Sequence, residues 1–190
     1  MNMVISELER IVEAACASET NCFGYGIWTH HILRVVEHGQ RLADRCGADA
    51  EIVVIAALLH DYASIKDIEL AATHHLHSAL EADKLLTALG YPPEQIEQVK
   101  DCILSHRASV PMVRRSVEAQ CLADADAIAH IEQVPSLLFY VFVQRQMAIA
   151  PGTQWVRDKL ERSWGKLSRQ AQDMMAEQYE AAVRTLTPLP

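Results

Sequence analysis

Hydrophobic and polar positions recur at helical spacing along most of this chain. Residues 3–18 set Val4, Leu8, Ile11, Val12 and Ala15 on one face. A break at 21–26 contains Gly24 and Gly26, and residues 28–46 then carry Trp28, Ile32, Val35, Val36, Leu42, Ala43 and Cys46 on a single side. His31 and His38 lie at the edge of that side, whereas His30 points away, and Gly47 predicts the helix end. Residues 52–59 have no polar face, so a helix there is buried all round, and it runs into the adjacent pair His60-Asp61. Residues 62–73, with Lys66, Asp67 and Glu69, predict a loop or short turn over that helix end.

The next predicted helix, 73–89, opens on His74, His75 and His77 and is stopped by Gly90-Tyr91-Pro92-Pro93. Three histidines in four residues span most of a helix circumference, so one or two face inward, and the helical wheel prefers His75. Residues 94–107 place Ile96, Val99, Ile103 and Leu104 inside with His106 near their edge, and 108–116 predict a loop with Pro111 and the basic pair Arg114-Arg115. A helix over 117–132 carries Asp124 and Asp126 among apolar neighbours, with Asp124 nearer the apolar face. After Pro135, residues 136–150 predict an apolar helix, Pro151-Gly152 a turn, and 153–186 one last helix. Its stripe of Leu160, Trp164, Leu167, Ala171 and Met174 suits docking on the core or a homodimer seam. No internal repeat or linker interrupts this pattern, so the expectation is one all-α domain over 1–190.

Composition agrees. Half of the 190 residues are hydrophobic, enough for a packed core, and seven Gly with seven Pro favour helices over a loop-rich fold. A net charge of −8 argues against a general nucleic-acid grip, which needs a basic surface. Five cysteines without C-x-x-C spacing read as buried thiols of a reducing compartment. No signal-peptide block opens the chain, and the apolar run 137–143 is too short to span a bilayer, so a cytoplasmic protein is expected.

A carboxylate ending an apolar helix is costly unless its charge is compensated. A cation would use both His60 and Asp61, since adjacent helical side chains diverge by about 100° and can straddle one ion. His31, His106 and the Asp124/Asp126 pair stand on other predicted helices beside apolar faces. Mixed imidazole and carboxylate donors suit Mn, Fe, Co, Ni or Mg better than a structural zinc site. Such an ion polarises a phosphoryl oxygen and delivers hydroxide at neutral pH.

The chain resembles the HD-domain metal-dependent phosphohydrolase superfamily, whose pattern is H…HD…D. His31-Ile32-Leu33-Arg34-Val35 resembles the family's H-x-x-R-V, and Ala57-Leu58-Leu59-His60-Asp61 its signature doublet. Ile103-Leu104-Ser105-His106 and the run from Glu118 to Asp126 are similar to a bacterial subgroup of HD hydrolases, over about 24–150. The resemblance implies a helical bundle with His31, His60, Asp61 and Asp126 holding one divalent ion, His60 and Asp61 being catalytic, and Asp124 as the second choice to Asp126. His74 in a motif like H-x-x-x-G-A, with His75 as the wheel's alternative, and His106 would then serve a second ion or the substrate. Lys66 is the loop cation that could meet a phosphate; Arg107, Arg114 and Arg115 are further basic candidates. The implied substrate is a small nucleotide or other phosphomonoester. The alternatives are a di-iron oxygenase and a non-catalytic metal- or nucleotide-binding module. The subgroup's Arg after D-A-D is replaced here by Ala127, and the doublet is followed by Tyr62-Ala63-Ser64 where some nucleotidase relatives carry an acid.

Overall fold

The computed structural model describes residues 3–107 and 112–187. Among them the chain forms α1 (Met3–Cys16), then a π-helical turn (Trp28–Ile32) that runs directly into α2 (Leu33–Cys46). There follow α3 (Ala50–Leu59), α4 (Tyr62–Lys66), a 3-10 stretch (Ile68–Thr73), α5 (His74–Ala88) and α6 (Pro93–Ser105). The second half comprises α7 (Val117–Glu132), α8 (Val134–Phe139) with a π-helical turn (Tyr140–Gln144), α9 (Ile149–Lys166) and α10 (Arg169–Leu186). The described fold is all-α, as the sequence predicts.

Two helices form its centre. The Asp49 side chain starts α3 by accepting from the Glu51 and Ile52 amides at 3.0 and 3.3 Å. Residues 52–59 are then buried on every side, among α1, α2, α6 and α7. Burying those large side chains contributes on the order of 10 kcal/mol before chain entropy is subtracted, which fixes the end of α3 in the interior. Ser116 caps α7 through the Ala119 amide at 3.1 Å, and every residue from Cys121 to Ile131 is buried beneath α2, α3, α9 and α10. The end of α3 and the middle of α7 therefore meet inside the molecule.

Three boundaries differ from the sequence expectation. Residues 62–73 are α4 plus the 3-10 stretch, because Tyr62, Ala63, Ser64 and Ile65 are buried and only the polar residues after them face water. Pro151-Gly152 lies in the first turn of α9, where a proline costs no hydrogen bond. The expected helix 136–150 correspondingly ends early, in α8 and its π turn. The long last helix is two. Ser168 breaks it in extended conformation and caps α10 through the Ala171 amide at 3.3 Å. Of the predicted stripe, Leu160, Leu167 and Ala171 are buried, and α9 and α10 pack on α7, whereas Met174 is exposed. The expected loop 108–116 is described from Met112; residues 108–111 lie outside the described residues.

Candidate metal centre

α3 stops at Leu59, and the chain turns through His60 and Asp61 before α4 begins. Asp61 takes φ −107° and ψ 3° and its side chain makes no cap bond, so the carboxylate is free to point inward. His31 arrives from the π turn ahead of α2, a local widening common at functional sites. Its Nε2 lies 3.2 Å from His60 Nε2, 3.3 Å from Asp61 Oδ2 and 3.4 Å from Asp126 Oδ1. His60 Nε2 is 3.4 Å from Asp61 Oδ2 and 3.8 Å from Asp126 Oδ1. The structure thus gathers the four residues that the sequence pattern singles out.

A second group adjoins the first through Asp61. Its other oxygen, Oδ1, is 3.4 Å from His74 Nε2, and His74 Nε2 is 3.1 Å from His106 Nε2. His75 does not join: it is buried elsewhere on α5 with Nδ1 unpaired. Of the two histidines, the one the motif likeness points to, His74, lies beside Asp61 and His106, and the one the wheel prefers, His75, faces the interior of α5's packing. Asp124 accepts from the Ser168 amide at 2.8 Å and from Gln120 at 2.9 Å, which makes it an anchor for the α9–α10 junction. Lys66 pairs with Glu81 at 2.7 Å beside a separate cavity, away from the cluster. His30 is exposed, as its place off the apolar face predicts, and lines the rim of the cleft beside His31.

The donor set suits divalent cations. Two donors each about 2.1 Å from an ion are about 3.0 Å apart at right angles and about 3.4 Å apart in a tetrahedron, the spacing found around His31. Asp126 Oδ1 is buried without a hydrogen-bond partner, a costly state that a cation removes. His74 and His106 each donate Nδ1–H to a carbonyl, of Ala71 at 2.8 Å and Ile103 at 2.6 Å. In their neutral forms both therefore turn bare Nε2 lone pairs towards each other. His60 is oriented likewise by the Ala57 carbonyl at 2.7 Å. Sets of three that could hold an ion are His31-His60-Asp61, His31-Asp126-His130 and Asp61-His74-His106.

Charge is arranged to match. Burial opposes ionisation of Asp61, but His60 and His31 hold its carboxyl well below the usual range. Asp126 is likewise buried and is held well below by Lys166, His130 and His60. Burial together with His60 and His74 pushes His106 well down, which keeps it a neutral donor. Burial also lowers His130 to about 3, with Lys159 adding to the effect.

Two cavities of about 250 and 260 Å³ share Asp61, His74, His130, Trp155 and Lys159. The first continues along Phe23, Tyr140, Leu137 and Gln133, with Tyr140 between Phe23 and Trp155 at ring distances of 5.2 and 5.7 Å. The second is rimmed by Arg107, Lys159 and Arg162. Sequence reasoning missed His130, Lys166 and the whole α9 wall of Trp155, Lys159 and Arg162. The signal for His130 was its place four residues after Asp126, one turn along the same face. The signal for Lys166 was its place on the face of Val156, Leu160 and Ser163, at spacings of four and three.

Comparison with known proteins finds an HD domain over residues 28–131. No curated protein matches the chain. Among solved structures, Bacillus subtilis YpgQ superposes with a TM-score of 0.70 at 21% identity, over 96% of this chain and 93% of that one, and it has also been solved in complex with ADP. Lin1889 of Listeria innocua gives 0.69 at 18%, over 98% and 94%. A protein described as a predicted HD superfamily hydrolase, from an uncultured Thermotogales bacterium, gives 0.58 at 24%, over 90% and 91%. These likenesses concern the fold.

Proposed function

The chain belongs to the HD domain family, and from that premise we propose that it is a metal-dependent phosphohydrolase acting on a small nucleotide. The observation that carries this reading is the meeting of His31, His60, Asp61 and Asp126 around Asp126 Oδ1, a buried carboxylate oxygen without a hydrogen-bond partner among the described residues, with the His130 imidazole 3.1 Å away. These four would hold one divalent ion, and His74 and His106, with the second oxygen of Asp61, another. When bound, a divalent ion there supplies Lewis-acid polarisation of a phosphoryl oxygen and acidifies a water.

The chain's own groups supply the rest. Asp61 contributes one oxygen to each half of the cluster, so a phosphate reaching it meets both halves at once. Lys159, Arg107 and Arg162 face no acidic partner among the described residues and are free to neutralise phosphate oxygens. Phe23, Tyr140 and Trp155 offer flat apolar surface for a nucleobase, and the ADP complex of the similarly folded YpgQ supports that choice. His130 donates Nδ1–H to the Asp126 carbonyl at 2.8 Å, which leaves Nε2 as an acceptor in a group that lines both cavities. The α9 wall contributes to both cavities, and we therefore read 1–190 as one domain.

Elemental analysis of protein purified without chelator, followed by phosphate release from a nucleotide panel with Mn or Co, tests the proposal. Metal uptake with nucleotide-dependent release is expected, and a protein that takes up no metal or turns over no phosphate ester refutes it. The shared carboxylate Asp61 favours a second reading, a di-iron oxygenase. Two irons per chain with oxygen consumption would establish that reading in place of hydrolysis.

A further inference from the structure

Lys166 occupies the last turn of α9, 35 residues beyond the end of the HD match, and is 7% exposed. Among the described residues its ammonium group makes two polar contacts, both to the cluster. It is hydrogen-bonded and ion-paired to Asp126 Oδ2, and it donates to the His106 carbonyl at 3.0 Å. That carbonyl belongs to the residue closing α6, where helical carbonyls lack helical partners. One side chain therefore grips a residue from each half of the cluster, from behind.

The consequence for Asp126 is specific. With Oδ2 engaged by Lys166, only Oδ1 is turned to His31 and His60, and Oδ1 is the atom without a hydrogen bond. Lys166 is itself held fast. Two residues later the Ser168 amide donates to Asp124 at 2.8 Å, which pins the α9–α10 junction to α7 half a turn from Asp126. A buried ammonium placed only to support packing would be costly, and an apolar side chain of the same length would fill the space at less cost.

We propose that Lys166 is a positioning residue that restricts Asp126 to a one-oxygen metal donor and fixes the backbone that aims His106. The C-terminal helix pair thereby sets the coordination of a site whose ligands lie on earlier elements. This inference rests on the metal-site reading above.

The test is Co(II) titration of the full chain, followed by visible absorption, which reports coordination number and geometry. Lys166→Met keeps the length of the side chain and removes its donors. It is expected to weaken Co(II) uptake at least tenfold and to change the absorption spectrum at saturation as Asp126 swings to offer both oxygens. Lys166→Gln, which retains a donor, should restore part of the wild-type spectrum. If the Met variant does not fold, Asp124→Ala, which removes the acceptor that holds the Ser168 amide without touching the cluster, carries the test through the same spectral shift. A Lys166→Met protein with lower Tm but wild-type affinity and spectrum overturns the inference while leaving the metal site intact. An unchanged spectrum in the Asp124→Ala protein does the same. Wild-type protein that takes up no Co(II) overturns both readings.

Discussion

Asp61→Ala removes the carboxylate on which both halves of the cluster converge, Oδ2 towards His31 and His60 and Oδ1 towards His74. The effect can be sized through the coupling of metal binding to folding. An ion that binds only the folded chain and is present at a hundred times its Kd adds about 2.7 kcal/mol per site. For a chain of 190 residues that raises Tm by about 5–11 °C, at about 2–4 °C per kcal/mol, and two filled sites about double the rise. Without Asp61 one set keeps three of its four donors, His31, His60 and Asp126, and its affinity is expected to fall on the order of a hundredfold; the other keeps only His74 and His106, too few to hold an ion against water. The assay is thermal unfolding of each metal-free protein against increasing Mn or Co, with each variant's own metal-free Tm as baseline. Wild type is expected to show the rise and Asp61→Ala to show less than about 2 °C. A variant that keeps the full rise would mean that the ion binds elsewhere, and the convergence on Asp61 would be without consequence.

His106→Ala should lower the metal content from two ions to one per chain by elemental analysis, and an unchanged count would exclude His106 as a ligand. Arg162→Ala should raise KM for a nucleotide about tenfold with little change in kcat, the scale of one charged hydrogen bond, while Lys66→Ala leaves both constants unchanged; the opposite ranking would return the phosphate contact to Lys66. Metal-free protein should lose stability steadily as pH falls from about 6.5, because the unfolded chain takes up protons there while His106 and His130 are held neutral. Each contributes at most about 1.4 kcal/mol per pH unit. His60, shifted upward, has its contribution complete below about 6.5, and the depressed Asp61 and Asp126 lose theirs only below about 4. A metal-free Tm that is flat or rising between pH 6.5 and 5 would contradict this assignment.

What could be read from the sequence follows from how each helix is buried. Residues 28–46 have one wet side and one dry side, so their wheel sets His31 beside the dry one, and the structure buries it there. α3 has no wet side, and its apolar run by itself announces a buried end at His60 and Asp61. The wheel fails where that asymmetry is missing. α7 is enclosed almost completely, so Asp124 and Asp126 are equally dry, and the choice between them depends on which neighbour each one meets: the Ser168 amide or the imidazoles. At His74 the failure has another cause. It is the first residue of α5, and the 3-10 stretch before it, read as loop, sets its direction through the Ala71 carbonyl, whereas the periodicity of later residues only places His75 against the core.

The α9 contribution was hidden for a third reason. Lysine and arginine on an amphipathic helix usually face solvent, whereas Lys166 continues the buried face of Val156, Leu160 and Ser163 and so lies behind Asp126. The residues that gather in the cluster are thus legible as local patterns. The charges that surround them come from α9, whose end is tied to α7 where the Ser168 amide donates to Asp124.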